Sequence, residues 1–413
     1  DGEAELAAAD DRDGENEGTK PPNSRSNGAG DERNRCGGSG EHMKIALELQ
    51  PCCYQMSGVG HYTFQLAKRI LATESADVSG HCFNFRMRNP KLSDLGIEGR
   101  VHYNALLPYG VYRRMWKVVP IPYRVMFPRA DVTHFFDYIV PPGVSGKVID
   151  TVYDLTYLRY PETMDERNLA RLKQGMRRSL DQSDWIVTDS AFVKGEITRE
   201  LGFDADQIEV VYPAAVNEAA GELPQDYLQE KWGLDKPYLL YLGTIEPRKN
   251  LSRLIQAYEK ASRELEQPPK LVLAGGKGWK ADETYLLAEK LAPEQVLFTG
   301  YISAAEKRML YQNAALFVFP SLYEGFGIPV LEAMQYGVPV VCANTSSLPE
   351  VAGDCARFVK PTDVNDIAQG ILELLTDPVR AEELSLRGKA QAERFNWDQS
   401  AEKLMQIYQR LGE

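Results

Sequence analysis

Two acidic residues near the C-terminal end of the chain, Glu324 and Glu332, are spaced across the start of a predicted helix. The run Ala315–Pro320 is typical of a buried parallel strand, and Pro329 suits the first turn of the helix that follows. Free N–H groups and the helix dipole favour an anion there. Because carboxylates repel phosphate, we expect the amides after Gly327 to bind phosphate while both acids accept hydrogen bonds from hydroxyl groups. A nucleotide-sugar offers both kinds of group.

A pair of cations, Arg248 and Lys249, joins a predicted strand at Tyr238–Leu242 to a helix indicated by apolar residues from Leu251 to Tyr258. Ligands of open α/β sheets bind at the carboxyl ends of the strands. The two cations could therefore neutralise a diphosphate, Arg248 with its planar fork and Lys249 as a point charge. Taken alone, such a pair is also an ordinary solvated surface feature.

A glycine-bearing turn near the N-terminus, with Gly58 and Gly60, follows a predicted strand at Met43–Leu49 and precedes an amphipathic helix. It could be taken for a dinucleotide-binding fingerprint. The third glycine of that pattern is missing, since Phe64 takes its place, and Arg86 rather than an acid follows the second predicted strand. Both departures argue against a hydride-transfer enzyme.

Composition limits the function classes further. A chain of 413 residues suits two domains, and its net charge of −12 argues against broad nucleic-acid binding. The six cysteines form no C-x-x-C pair and the five histidines form no spaced cluster, which indicates a reducing compartment and no metal site. No apolar run reaches the ~18 residues that a membrane-spanning helix requires.

One stretch departs from the acidic balance, because five cations and no acid lie between residues 109 and 129, interleaved with aromatic and aliphatic residues. The cations are Arg113, Arg114, Lys117, Arg124 and Arg129. Such interleaving suits peripheral contact with a membrane surface. The alternative is a loop and helix whose aromatic residues pack inward and whose cations are merely exposed.

The order of predicted elements indicates an α/β fold. Residues 1–42 are too polar to offset their chain entropy, so we expect a disordered tag or tail, and the segment before Met43 resembles a cloning junction. Apolar strands alternate with helical patterns over 43–219 and again over 220–395, which predicts two doubly wound, Rossmann-like domains with parallel sheets. Residues 396–413 form an amphipathic helix.

The acidic segment from Ser321 to Pro339 resembles the signature of glycosyltransferase family 4, and Gly243–Asn250 is similar to the diphosphate-binding segment of that family. The resemblance implies a retaining, metal-independent transferase of GT-B fold that uses a nucleotide-sugar donor. It also implies an acceptor-binding N-terminal domain, a donor-binding C-terminal domain, and a last helix that crosses back to the first domain. Both segments look most like bacterial mannosyltransferases of polysaccharide and O-antigen assembly, so GDP-mannose is the donor hypothesis, with UDP-glucose as an alternative.

Site residues follow from the resemblance, residue by residue. Arg248 and Lys249 would stabilise the leaving diphosphate, Glu324 would hold sugar hydroxyls, and Glu332 would hold the ribose. The remaining expected nucleotide-sugar contacts are Gly58, Gly60, Asp154, Gly275, Tyr301, Ile302, Gly325, Phe326, Gly327 and Ile328. The implied partner is a glycan or lipid-linked acceptor, and the implied location is the cytoplasm, at the inner face of the membrane.

One departure from the family pattern keeps alternatives open. Where relatives commonly read His-Asp, this chain has Tyr153 and Asp154. The Tyr153 hydroxyl could substitute for the imidazole, Asp154 could make the contact, or Tyr153 could be structural. Two rival functions also stay open, a nucleotide-sugar epimerase on the same fold and a non-catalytic nucleotide-sugar-binding protein.

Overall fold

The computed structural model describes residues 43–53, 58–73, 76–87, 92–97, 99–116, 118–216 and 221–412. The predicted tail at 1–42 lies outside the described residues, and so does the stretch 217–220 that contains the predicted domain boundary.

The first part of the chain forms a sheet of parallel strands in the order β3-β2-β1-β4-β5-β6-β7. Every one of these strands carries buried residues, because helices cover both faces of a parallel sheet. The strands are β1 Lys44–Glu48, β2 Asp77–Phe83, β3 Arg100–Asn104, β4 Val132–Phe135, β5 Lys147–Thr151, β6 Trp185–Thr188 and β7 Ile208–Val210.

A second parallel sheet follows, in the order β10-β9-β8-β11-β12-β13. Its central strands read as continuous apolar runs, YLLYL in β8 and AALFVF in β11, as expected for strands buried on both faces. The strands are β8 Tyr238–Leu242, β9 Leu271–Ala274, β10 Val296–Gly300, β11 Ala314–Phe319, β12 Val340–Ala343 and β13 Arg357–Val359.

Helices connect these strands and close each sheet. None of the described helices is long and apolar enough to cross a membrane. They are α1 Gly58–Leu71, α2 Tyr109–Met115, α3 Tyr123–Met126, α4 Thr156–Arg159, α5 Glu166–Gln182, α6 Ala191–Glu196, α7 Tyr227–Trp232, α8 Leu251–Ser262, α9 Asp282–Leu291, α10 Ala304–Gln312, α11 Ile328–Gln335, α12 Leu348–Ala352, α13 Val364–Thr376, α14 Pro378–Ala392 and α15 Trp397–Gly412.

Each sheet has one point where the strand order reverses, between β1 and β4 in the first and between β8 and β11 in the second. Loops that leave neighbouring strands at such a point run to opposite faces and leave a crevice at the carboxyl ends. Residues far apart in sequence, such as Arg248 after β8 and Glu324 after β11, therefore meet there.

The last helix, α15, packs on the first sheet rather than on the second. Its apolar face, with Trp397, Leu404 and Tyr408, belongs to the core of the first sheet. The Tyr408 hydroxyl lies 2.6 Å from Nδ1 of His134 on β4. Burial lowers the pKa of His134 to about 3, so this ring is neutral and the contact is a hydrogen bond between uncharged groups.

The basic stretch at 109–129 divides into an inward and an outward face. Its aromatic residues Tyr112, Tyr123 and Phe127 are buried in a small cluster against β2, β4 and β5, as the structural alternative expects. The outward face carries aliphatic side chains instead, with Val118 82% exposed and Val125 66% exposed. Lys117 lies outside the described residues.

Candidate functional site

A cavity of about 660 Å³ lies between the carboxyl ends of the two sheets. It is lined by almost all of the residues expected from sequence: Gly58, Asp154, Arg248, Lys249, Gly275, Tyr301, Ile302, Glu324, Gly325, Phe326, Gly327, Ile328 and Glu332. Gly60 is the exception. It is buried within α1, where its carbonyl oxygen accepts a weak bond from the Cys52 thiol, so Gly60 itself does not line the cavity although the neighbouring Val59 and His61 do.

Arg248 and Lys249 form a cluster with two acids. The short helical turn Pro247–Lys249 ends at Asn250, which adopts a positive φ of 62° and donates to the carbonyl oxygens of Pro320 and Pro361. This anchor fixes both cations beside the loop that follows β11. Lys249 Nζ lies 2.6 Å from one oxygen of Glu324, and a guanidinium nitrogen of Arg248 lies 2.9 Å from the other.

Charge within this cluster is balanced. A second guanidinium nitrogen of Arg248 lies 2.9 Å from Glu246, and all four side chains are largely buried. Burial acts to raise the pKa of Glu324, but the charges of Arg248 and Lys249 outweigh it and lower that pKa to about 2. Glu324 therefore stays ionised, and the formal charges of the four groups cancel.

The loop after β11 places its backbone amides at the start of α11. Gly327 caps the helix with a φ of 113°, which favours glycine, and Pro329 lies in the first turn as predicted. Hydroxyls of Ser347 and Ser190 donate to the carbonyl oxygens of the loop. Within the part of the chain described, no hydrogen-bond acceptor contacts the amides of 326–328, so these N–H groups can bind an anion.

Glu332 lies in the second turn of α11, slightly deeper than expected. One of its oxygens accepts from Lys307 Nζ at 2.6 Å and the other from the Tyr311 hydroxyl at 3.1 Å. Tyr301, at the rim of the same end of the cavity, is 77% exposed. The exposed ring of Tyr301 could stack on a nucleobase, and the Glu332 carboxylate could accept hydrogen bonds from a ribose.

Two glycines let the backbone close tightly around the cavity. A Cβ atom on Gly275 would lie 2.0 Å from the Gly243 carbonyl oxygen, so only glycine fits where β8 and β9 end. A Cβ atom on Gly325 would lie 2.0 Å from the Tyr153 carbonyl oxygen, which shows that the loop after β11 touches the opposite wall.

On that opposite wall Tyr153 is held as a structural residue. Its hydroxyl donates to the Phe136 carbonyl oxygen at 3.0 Å, and its ring makes edge contacts with Tyr62 and Tyr138. Asp154 lines the cavity and accepts one hydrogen bond from the Thr156 amide. The structure therefore favours Asp154 over the Tyr153 hydroxyl as the group that meets a ligand.

Sequence reasoning missed the contacts that join the two walls. The Tyr323 hydroxyl donates to Glu196 at 2.5 Å and accepts from the Leu155 amide at 2.9 Å. Glu350 of the second sheet's α12 accepts from two amides in the first turn of α6, at 2.7 and 2.9 Å. The indole of Trp279 donates to the Thr163 carbonyl oxygen. Lone residues far apart in sequence leave no local pattern from which these pairs could be found.

Solved structures share the fold of this chain. Sucrose-phosphate synthase from Thermosynechococcus elongatus superposes with a TM-score of 0.69 over 90% of this chain and 99% of that chain, at 19% identity. HepE from Anabaena, in complex with UDP and glucose, gives 0.67 over 89% of this chain and all of that chain, at 18% identity. The expected GT-B fold is thereby confirmed.

Sequence comparison identifies the family. Residues 225–392 match the family Glycosyl transferases group 1. The O-antigen chain mannosyltransferase B of Escherichia coli is 32% identical over 384 residues, which are 89% of this chain and all of that protein. The serotype-specific mannosyltransferase WbdA of Escherichia coli is 33% identical over 65% of this chain, but over only 34% of its own length. The chain therefore belongs, as its motifs predict, to the group 1 glycosyl transferases of family 4, and it is a glycosyltransferase.

Proposed function

We propose that this enzyme transfers mannose, with retention, from GDP-mannose to a glycan or lipid-linked saccharide acceptor. The observation that carries the proposal is the match to a mannosyltransferase over its entire length, combined with a paired cation cluster in the cavity. A cavity of about 660 Å³ also falls in the size range of small-ligand sites.

The donor would lie along the second sheet. Its diphosphate would meet the amides at the start of α11 together with Arg248 and Lys249, where backbone donors and cations converge. Its ribose would accept and donate hydrogen bonds at the Glu332–Lys307 pair. Its base would lie near Tyr301, and its sugar beside Glu324.

In the proposed reaction the acceptor hydroxyl attacks the anomeric carbon on the face from which the diphosphate leaves. The bond from the anomeric carbon to the phosphate oxygen breaks, and that oxygen takes the proton of the acceptor hydroxyl. Arg248, Lys249 and the α11 dipole stabilise the charge that builds on the departing diphosphate. We propose that this charge stabilisation takes the place of a metal ion, so that chelators leave transfer unaffected.

Isothermal titration with GDP-mannose, UDP-glucose, GDP and UDP tests the donor. We expect guanine nucleotides to bind and Arg248→Ala/Lys249→Ala to abolish that binding. The matched control, Lys173→Ala/Arg177→Ala, removes one exposed lysine and one exposed arginine from α5, outside the cavity. A preference for uridine nucleotides would contradict the mannose assignment, and no binding of any nucleotide would contradict the donor site.

We also propose that the outward face of the basic stretch contacts an anionic lipid surface. The exposed aliphatic residues are Val118, Val119 and Val125, with Leu106 just before the stretch, and the cations Arg114, Arg124 and Arg129 of the same stretch are exposed as well. Aliphatic groups enter the lipid interface while cations attract anionic headgroups, which adds about 1 kcal/mol for each cation. A lipid-linked acceptor would be reached from such a position.

Sedimentation with vesicles tests this contact. Val118→Asp/Val119→Asp should lower the fraction bound to vesicles that contain phosphatidylglycerol, whereas Val379→Asp, an exposed valine on α14, should leave it unchanged. Equal binding to neutral phosphatidylcholine vesicles, or no effect of the double variant, would refute the contact.

A further inference from the structure

Asp189 is a buried acid on the cavity wall that the donor site does not use. It follows β6, lines the cavity and is only 6% exposed. Its Oδ1 atom has no hydrogen-bond partner among the residues that the structure describes. A buried carboxyl oxygen without a partner is costly, so its presence in the wall of a cavity points to a ligand whose binding supplies the missing hydrogen bond.

A second carboxyl group stands beside it. Asp154 follows β5, and β5 and β6 are neighbours in the first sheet, so both acids project from the same edge. Asp154 uses one oxygen to accept from the Thr156 amide and is less buried than Asp189. The pair therefore presents two carboxyl groups of different exposure to one part of the cavity.

This part of the cavity faces the donor loop. The Tyr153 carbonyl, next to Asp154, touches Gly325, and Ser190, next to Asp189, donates to the Gly325 carbonyl oxygen at 2.6 Å. The cations Arg248 and Lys249 belong to the second sheet, on the other wall. A group held by the two aspartates would thus lie across the cavity from the loop that holds the donor sugar, within range of the charges of Arg248 and Glu324.

We propose that Asp154 and Asp189 form the subsite that binds a hydroxyl group of the acceptor sugar. The proposal rests on the proposed function, because it assumes a sugar donor on the other wall. A sugar hydroxyl both donates and accepts a hydrogen bond. Asp154 would accept from the hydroxyl hydrogen, and Asp189 with its proton would donate to the hydroxyl oxygen.

The surroundings of Asp189 support this division. Burial raises the pKa of Asp189 well above its ordinary value, and the negative charges of Asp154, Glu350 and Glu324 raise it further. The groups facing it are Asp154, Glu324, Glu350, Tyr62, Tyr138 and Tyr153, and His61 lines the same cavity. Asp189 therefore holds its proton to a higher pH than an ordinary aspartate does and loses it as the pH rises further.

The test compares Asp189→Ala and Asp189→Asn with Asp181→Ala, which removes an exposed acid from α5. Octyl α-D-mannopyranoside is the acceptor probe, followed by its KM in transfer from GDP-mannose and by saturation-transfer NMR in the presence of GDP. We expect Asp189→Ala to raise the KM for the mannoside at least about tenfold, the loss of one buried hydrogen bond, while its Kd for GDP changes less than about twofold.

The pH profile separates binding from a structural role. In the wild type the mannoside should bind more weakly once the pH rises through the raised pKa of Asp189, because Asp189 then loses the proton that it donates. Asp189→Asn keeps a donor that does not titrate, so this weakening should disappear. If mannoside binding to Asp189→Asn still weakens as the pH rises, then another group, such as His61, is responsible for the pH dependence. That result would overturn the assignment of the hydrogen-bond donor to Asp189.

Other outcomes would also overturn the subsite. An unchanged KM for the mannoside in a folded Asp189→Ala variant would do so, and so would no contact between the mannoside and the GDP-bound wild type. If Asp189→Ala binds GDP more weakly than the wild type does, Asp189 belongs to the donor site instead of the acceptor subsite. If the wild type bound neither GDP nor GDP-mannose, the proposed function would fail first, and the subsite with it.

Discussion

Substituting Glu324 by glutamine should strengthen nucleotide binding while it slows transfer. In the structure Glu324 holds Lys249 at 2.6 Å and Arg248 at 2.9 Å, so both cations are neutralised when no donor is bound. Glutamine keeps the shape of the side chain but removes its charge and replaces one of its two acceptor oxygens by an NH2 donor. The cluster then carries a net charge of about +1 toward an incoming diphosphate.

The size of the effect follows from the distances. Two unit charges about 5 Å apart interact by about 3 kcal/mol at an effective dielectric constant of about 20. Water and salt at the cavity mouth reduce this value, so about 2 kcal/mol remains, which corresponds to a roughly thirtyfold lower Kd for GDP. The gain for GDP-mannose should be smaller, because glutamine is a poorer acceptor for the sugar hydroxyls.

Isothermal titration of Glu324→Gln and wild type with GDP measures the gain. Single-turnover transfer from GDP-mannose measures the loss, which we expect to be at least about tenfold, since one charge-assisted hydrogen bond is removed. Glu382→Gln, an exposed acid on α14, is the control. If Glu324→Gln is folded and binds GDP no more tightly than the wild type, then the diphosphate does not meet Arg248 and Lys249, and the charge argument is wrong.

Three further predictions concern the contacts around the cavity. Tyr323→Phe removes the hydrogen bond from Tyr323 to Glu196 that joins the two walls of the cavity and stabilises them by about 2 kcal/mol. We expect kcat to fall while the Kd for GDP stays constant. An equal change in kcat and in this Kd would contradict a positioning role. Asp150→Asn should raise the melting temperature at neutral pH. Burial and then the charge of Asp137 raise the pKa of Asp150, so the stability that its protonated form provides is lost as the pH rises. Scanning calorimetry should show the difference between the two proteins disappear below about pH 3, where aspartate is protonated in the unfolded chain as well. Glu350→Ala should speed hydrogen exchange at the first amides of α6 by up to about thirtyfold, because the hydrogen bonds from these amides to Glu350 stabilise the start of the helix by about 2 kcal/mol. Unchanged exchange would show that Glu350 does not stabilise the start of α6.

Much of the fold could be predicted because parallel strands have a strong local signal. The apolar runs at Tyr238–Leu242 and Ala315–Pro320 were predicted as strands, and they form β8, with the same bounds, and β11 at Ala314–Phe319. The strand order that brings Arg248 and Glu324 together is seen only in the structure.

The sequence could not show which charged groups neutralise one another. Arg248, Lys249, Glu324 and Glu332 were assigned to a ligand one by one, and the structure pairs every one of them with an opposite charge of the protein. Ion pairing depends on side-chain rotamers and on the distances between loops. Neither of these produces a periodic pattern in the sequence. The unpaired Asp189 could not be found for the same reason, because only the structure shows that nothing among the described residues satisfies its Oδ1 atom.

Charge pairing changes how donor binding has to be understood. A diphosphate does not enter a positive cavity here, because Glu246 and Glu324 already balance Arg248 and Lys249. Under the proposed function its affinity would come from charge-assisted bonds that Arg248 and Lys249 share between phosphate and carboxylate, together with bonds from the amides before α11. Free phosphate can contact only some of these cations and amides. It therefore binds weakly, because it has to compete with the carboxylates that already pair with the cations. The internal carboxylates therefore favour a ligand that brings both a diphosphate for the cations and hydroxyls for Glu324, which is the combination that a nucleotide-sugar offers.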